Sequence, residues 1–340
     1  MKTRPWSRRH FLRSMGATTV AATVTGAVFA SSQVALAAPT ATRALRFGVQ
    51  VVPQHTTYTE IQQTWREVDE LGFDTAFLFD HCMPVMSDPN GPCFEGWTLL
   101  STLAAQCKRV KVGLLVTANT YRNPALVAKM AATVDHVSHG RAILGIGAAW
   151  FEPEHTAYGI PFYTPSERAK RLNESITVIK SLLSQPKSSF DGKFYQLKDA
   201  PFEPKPLQKP HLPLLIGGVG PKLIQPLAAR HADIWYFLSN DGDLQVAKST
   251  CESSDLVCQK VKRDPAAVEK SIALRSPQLA GSSEEVASRV KALADVGVRH
   301  FIISLSPPFD RALLRRFAKE VIPAVRKAEE HSVKNRIKER

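Results

Sequence analysis

Cysteine is scarce. The 340 residues hold five, an odd number that leaves at least one thiol unpaired. Cys251 and Cys258 fall on one face of an expected helix but about 10 Å apart along its axis, beyond disulfide reach. Cys82 and Cys93 flank a loop of Pro, Asp, Asn and Gly, and this pair can meet. No Cys-x-x-Cys or other ligand spacing occurs, so no metal site is expected. A long apolar run is missing too: Met15–Ala30 is too short and too rich in Thr, Gly and Ala for a confident spanning helix. Nor is there a stripe of positive charge. The formal charge is +13, and five of those charges (Lys2, Arg4, Arg8, Arg9 and Arg13) lie in an acid-free N-terminal segment, leaving +8 scattered elsewhere except in the tail Lys334–Arg340. Without a basic stripe and a reading element, nucleic acid is not an expected partner. Internal repeats and a second domain are likewise not seen. With 44% apolar and 22% charged residues the composition is that of an ordinary globular protein.

The N-terminus carries a pattern of its own. Ser7-Arg-Arg-His-Phe-Leu-Arg13 matches a twin-arginine export signal, and Ala35-Leu-Ala37 matches an A-x-A cleavage site. No cysteine precedes Cys82, which excludes lipid anchoring at a processed cysteine. The expected division is a signal over 1–37, a linker over 38–44, one domain over 45–330 and a basic tail over 331–340. The expected partner in export is the twin-arginine translocase. The mature chain would begin near Ala38 and be periplasmic or extracellular.

Beyond residue 44, short apolar runs alternate with amphipathic ones. Strands are expected at Leu45–Val52, Phe73–Phe79, Val110–Val116, Ala142–Ile146, Pro213–Ile216, Asp233–Leu238, Ile272–Leu274 and His300–Leu305. Helices are expected at Thr59–Leu71, Glu95–Cys107, Pro124–Val137, Ser166–Leu183, Pro221–Arg230, Leu244–Lys262, Ser283–Val296 and Arg311–Ala328. Eight βα units predict a (β/α)8 TIM barrel, with sites at the carboxyl ends of the strands. Gly72 and Gly297 suit helix C-caps, and Pro124 and Pro221 suit first helical turns. Two long connections, Ala148–Pro165 and Gln185–Lys209, are expected to cover the barrel mouth. The second contains a hairpin-like run around Asp191-Gly192.

Chemistry-bearing residues cluster where strands hand over to loops. Asp80-His81 follows the second strand; an imidazole there can take or give a proton near neutral pH, with Asp80 able to set its tautomer or charge. A loop histidine can equally be structural. Thr117, Asn119, Tyr121, Arg122 and Asn123 follow the third strand and could hydrogen-bond a flavin-like ring and its ribityl chain, or make turns and salt bridges. Gly145-x-Gly147 lacks the third glycine of a dinucleotide fingerprint, so its glycines are read as letting the strand bend at a cofactor. Trp150, Phe151 and Tyr158 can form an apolar wall. Glu152, Glu154 and His155 match no zinc spacing and are read as a network supporting a lid. Gly217, Gly218 and Gly220, ahead of an expected helix, suit phosphate binding by backbone N–H groups.

Two runs, Thr117-Ala-Asn-Thr-Tyr-Arg-Asn-Pro124 and Gly140-Arg-Ala-Ile-Leu-Gly-Ile-Gly-Ala-Ala-Trp-Phe-Glu-Pro-Glu-His155, resemble the luciferase-like family of TIM-barrel oxidoreductases, especially its deazaflavin (coenzyme F420) branch. The resemblance is strong over roughly 45–240. It implies hydride transfer between F420 and an organic small molecule, with His81 as acid/base beside the ring and Asp80 next to it. It implies cofactor contacts at Thr117, Asn119 and Gly147, through an unusual bulged peptide at the end of the third strand, and a phosphate tail near Gly217, Gly218 and Gly220. Sugar-phosphate dehydrogenases of the branch carry Glu directly after Gly-x-Gly, where this chain has Ala148; that argues against such a substrate. An FMN-dependent two-component monooxygenase is the alternative on the same fold, and a non-catalytic exported binding protein is a third reading. A homodimer is left open.

Overall fold

The computed structural model describes residues 43–85, 87–237 and 243–338. The expected export signal and cleavage site lie outside them. Strands β1 (Arg46–Val51), β2 (Thr75–Leu78), β3 (Lys111–Leu114), β4 (Thr117–Ala118), β5 (Ala142–Gly147), β8 (Leu214–Gly217), β9 (Ile234–Phe237), β10 (Glu269–Leu274) and β11 (His300–Leu305) form one parallel sheet. Its order is β3-β2-β1-β11-β10-β9-β8-β5-β4, and β3 also pairs with β5, which closes an eight-stranded barrel with β4 as a short addition beside β5. Helices α1 (Tyr58–Glu70), α2 (Gly96–Gln106), α3 (Pro124–Val137), α4 (Glu152–Ala157), α5 (Pro165–Ser184), α6 (Ile224–His231), α7 (Leu244–Lys260), α8 (Ser276–Leu279), α9 (Ser283–Asp295), α10 (Arg311–Arg316) and α11 (Ile322–Lys338) come between and after the strands. The connection after α5 forms an antiparallel hairpin, β6 (Lys187–Asp191) with β7 (Gln196–Pro201), in the segment expected to fold that way.

Local chemistry sets the helix starts. Thr57 and Glu60 form a capping box on α1, Ser282 and Glu285 do so on α9, and Asn123 caps α3 with Pro124 in its first turn. Side chains alternate between two cores, as parallel barrel strands require. Phe77, Leu115, Ile143, Leu215, Ile234 and Ile302 fill the barrel interior, while Phe47, Leu78, Leu144, Ile146, Ile216 and Phe301 pack against the helices. Each fully buried apolar side chain of this size stabilises the fold by about 1.5–3 kcal/mol.

Several expectations need correction. The third strand is not continuous over Val110–Val116. It breaks after Leu114, passes through a cis peptide between Leu115 and Val116, and resumes as β4. The helix expected from Pro221 starts at Ile224, with Pro221 in a preceding turn. Glu152–Ala157 and Ser276–Leu279 are short helices where loops were expected. The helix expected at Arg311–Ala328 is divided by a π-helical stretch, Phe317–Val321, between α10 and α11, and α11 runs on to Lys338. All five cysteines are free; Cys93 donates its thiol to the His81 carbonyl instead of pairing with Cys82.

Candidate active site

The carboxyl ends of β2, β4, β5 and β8 meet at one mouth of the barrel. Alternation along β2 turns Thr75 and Phe77 inward and Ala76 and Leu78 outward, which sends Asp80 outward and His81 inward. Asp80 is buried. It accepts two bonds from the Arg122 guanidinium, at 2.7 and 3.0 Å, and one from the Ala118 N–H at 2.9 Å. Burial lifts its carboxyl above the ordinary value, and the Arg122 fork opposes that lift. Arg122 also reaches Glu95, whose carboxylate caps α2 at the Trp97 and Thr98 N–H groups. Asp80 therefore ties the end of β2 to β4 and α2 and does not orient His81.

The partner of His81 is Glu154. His81 Nδ1 lies 2.8 Å from Glu154 Oε2, and Glu154, on α4, is fully buried. The same carboxylate accepts from the Tyr121 hydroxyl, the Cys82 N–H and, at 3.3 Å, the Met83 N–H. Burial pushes the Glu154 pKa up, but the bond and charge of His81, with the Tyr121 and Cys82 donors, outweigh it and hold the carboxyl below its usual range. An ionised carboxylate only accepts, so His81 Nδ1 carries a proton. His81 Nε2 has no hydrogen-bond partner among the described residues. The ring sits edge-on to Phe79 at 4.9 Å, with Trp150 and Phe151 at 5.9 and 6.1 Å. Trp150 and Tyr158 are exposed, and the Tyr158 hydroxyl fastens to the Cys82 carbonyl at 2.9 Å. His155 is a support: its Nδ1 donates to the Phe151 carbonyl and its Nε2 accepts from Thr120.

The expected cofactor residues divide. Thr117 pairs in register with Ile146, a residue of the outer core, so its side chain belongs with the layer under the helices and not with the mouth. Its fully buried hydroxyl has no hydrogen-bond partner among the described residues. Asn119 lies nearer the rim; its N–H donates to the Gly147 carbonyl at 3.0 Å and its amide reaches the hairpin residue Tyr195 at 3.4 Å. Gly147 and Gly217 make room for Val116, since a Cβ would come within 2.7 Å of Val116 at the first and 3.0 Å at the second. Half-buried Val116, which the sequence reading passed over, thus rests in a glycine cradle at the mouth. Gly218, at φ +134°, gives its N–H to the Tyr236 carbonyl. The amides of Val219 and Gly220 donate to no backbone carbonyl among the described residues, so the anion-binding capacity of this turn moves from Gly218 to Val219 and Gly220. Open glycine-lined backbone beside an apolar floor fits a flat cofactor with a phosphate tail. No cluster of three or more metal-ligating side chains occurs among the described residues.

A closed parallel barrel with such a mouth places the protein in the class of (β/α)8-barrel enzymes. Within it, the chain belongs to the luciferase-like monooxygenase family, whose model matches residues 28–336. It is 34% identical over 190 residues to the F420-dependent glucose-6-phosphate dehydrogenase of Microbacterium testaceum (strain StLB037), a match covering 56% of this chain and 55% of the relative. It is also 34% identical over 147 residues to the FMNH(2)-dependent dimethylsulfone monooxygenase of Pseudomonas putida, covering 43% of this chain and 40% of that protein. The chain spans about half the length of the curated relatives it matches. Its fold resembles an F420-dependent secondary alcohol dehydrogenase in complex with an F420-acetone adduct, with a TM-score of 0.73, 20% identity and coverage of 83% of this chain and 99% of that one.

Proposed function

We propose that the protein is an exported oxidoreductase that transfers a hydride between F420 and an organic substrate, with His81 moving the accompanying proton. The observation that carries this reading is the His81–Glu154 pair, which leaves one imidazole nitrogen free at the barrel mouth. When bound, the deazaflavin supplies a hydride donor or acceptor. The chain supplies the rest. The amides of Val219 and Gly220 would hold the phosphate, and Val116, seated in the cradle of Gly147 and Gly217, would offer the ring an apolar surface. Trp150 and Phe151 keep water from His81. His81 Nε2 gives a proton to the substrate oxygen as it is reduced, or takes one as it is oxidised. Ala148, where sugar-phosphate dehydrogenases of the branch carry Glu, supports a substrate other than a sugar phosphate.

Titration of the full chain with F420 and with FMN tests the cofactor. F420 binds more tightly on this reading; the reverse order favours the FMN-dependent monooxygenase, a reading that the dimethylsulfone monooxygenase relative supports. His81→Asn lowers turnover about 10²–10⁴-fold, the usual size of general acid–base catalysis, with a much smaller change in cofactor affinity. Near-full activity across pH 5–8 would make His81 structural. Export is read from the Arg8-Arg9 pair and Ala35-Leu-Ala37. Replacing both arginines by lysine leaves the precursor in the cytoplasm, and fractionation with N-terminal sequencing decides it.

A further inference from the structure

Three of the residues that follow β4 have a settled task. Asn119 reaches the hairpin at the rim, Arg122 holds Asp80 and Glu95, and Asn123 caps α3. Tyr121 stands among them, and from sequence it reads only as a ring contact or a turn residue. Its backbone N–H closes a turn onto the Ala118 carbonyl at 3.1 Å. Its half-buried ring rests on His155, with 5.0 Å between ring centroids. That support is itself fixed, since both nitrogens of His155 are bonded, one to the Phe151 carbonyl and one to Thr120. Held in this way, the Tyr121 hydroxyl donates to Glu154 Oε2.

The two oxygens of Glu154 do different things. Oε1 accepts from the Cys82 and Met83 amides, so the backbone fixes it. Oε2 accepts from two side chains, the Tyr121 hydroxyl and His81 Nδ1, the latter at 2.8 Å. The hydroxyl occupies one lone pair of Oε2 and answers part of its charge. The lone pair that remains sets the plane of the imidazole, and the charge that remains sets how firmly the ring keeps a second proton. Burial raises the Glu154 carboxyl, and His81 and then Tyr121 hold it down. Tyr121 stays a donor throughout, because burial and then the bond to Glu154 push its hydroxyl far above the ordinary range. Other titratable groups nearby do not compete for Oε2. The Cys82 and Cys93 thiols are pushed up to about 11 and about 12, by burial first and Glu154 next, and stay neutral. Asp80 and Glu95 share Arg122, and Glu152, on the same short helix as Glu154, is exposed.

We propose that Tyr121 is a positioning residue. By donating to the oxygen that holds His81 Nδ1, it fixes the direction of the ring and weakens the hold of the carboxylate on a doubly protonated imidazole. The proposal rests on the reading of His81 as the proton carrier, but the contacts that define it need no cofactor, and neither does its test.

Full-length wild type, Tyr121→Phe and protein carrying 3,5-difluorotyrosine at position 121 are labelled with ¹⁵N-histidine and titrated by NMR without cofactor. Phenylalanine removes the donor alone. The fluorines make the hydroxyl a stronger donor in nearly the same shape. The pH midpoint of the His81 ring signals rises by about 0.5–1 unit in Tyr121→Phe, about a three- to tenfold change in the imidazolium equilibrium, and falls below wild type in the difluorotyrosine protein. In turnover, the limb of the pH–rate profile set by His81 moves to higher pH by the same amount in Tyr121→Phe, whether His81 gives or takes the proton, while KM stays within about twofold. A merely structural tyrosine gives no such ordered series. If the three proteins share one midpoint, the proposal is overturned. If Tyr121→Phe does not fold, the difluorotyrosine protein still decides, since an unmoved midpoint there overturns the proposal as well. If the midpoints move in order but His81→Asn keeps near-full turnover, the proton-carrier reading fails by itself and the hold of Tyr121 on the pair stands.

Discussion

Glu154→Gln is the sharpest perturbation of the mouth, because it removes a charge without removing volume. The carboxylate accepts from four donors: His81 Nδ1, the Tyr121 hydroxyl and the Cys82 and Met83 amides. A glutamine offers one oxygen and one NH2. If the oxygen keeps the two backbone amides, the NH2 faces Tyr121 and His81. The tyrosine hydroxyl can turn and accept. His81 can accept only by giving up the Nδ1 proton, which then sits on Nε2, and the ring loses the lone pair the proposed proton transfer needs. Each bond lost to the charged acceptor costs about 1.5–3 kcal/mol of stability. Turnover falls into the same 10²–10⁴-fold range as His81→Asn. NMR of protein labelled with ¹⁵N-histidine reports the tautomer directly: Nδ1 protonated in wild type, Nε2 protonated in the variant. Glu154→Asp keeps the charge and restores the wild-type tautomer in part. The folded-state pKa of Glu154 is depressed, so its contribution to stability is full above 4.5 and is lost as pH falls through the folded value. Glu154→Gln therefore flattens the loss of stability as pH falls below about 4.5. An unchanged tautomer together with unchanged turnover would refute the reasoning.

Gly147→Ala places a Cβ 2.7 Å from Val116 Cγ2, and a β-branched neighbour yields little. The expected cost is about 1–3 kcal/mol by denaturant unfolding, with weaker cofactor binding, and Gly217→Ala, at 3.0 Å, is milder. His300, fully buried at the start of β11, lies 2.8 Å from Thr75, and burial followed by the Arg46 charge keeps its pKa well below 6.5. The unfolded chain takes up that proton first, so stability falls as pH drops below about 6.5, by at most about 1.4 kcal/mol per unit from this group. His300→Gln removes that slope between pH 6.5 and 5, measurable by urea unfolding; an equal slope in both proteins would exclude His300 as its source.

The barrel was legible because its evidence is local. Eight apolar runs and eight amphipathic ones, punctuated by Gly72, Gly297 and Pro124, repeat a pattern that one chain geometry satisfies. The break in the third strand was not legible, since Leu115 and Val116 read as two more apolar strand residues. At the site, sequence named His81 but gave it the wrong companion. Adjacency suggested Asp80, whereas neighbours on an extended chain point to opposite faces. The true partner is 73 residues away, on a short helix hidden in an expected loop, between Glu152 and His155, which offered similar chemistry. The glycines have a second role that spacing did not show. Gly147 was read as letting its strand bend at a cofactor and Gly217 as part of a phosphate-binding turn; in the structure both also make room for Val116, whose position depends on the break in β3. Pairings between distant strand ends are not written in spacing. Alternation within a strand is, and it is the rule that turns Asp80 away from His81.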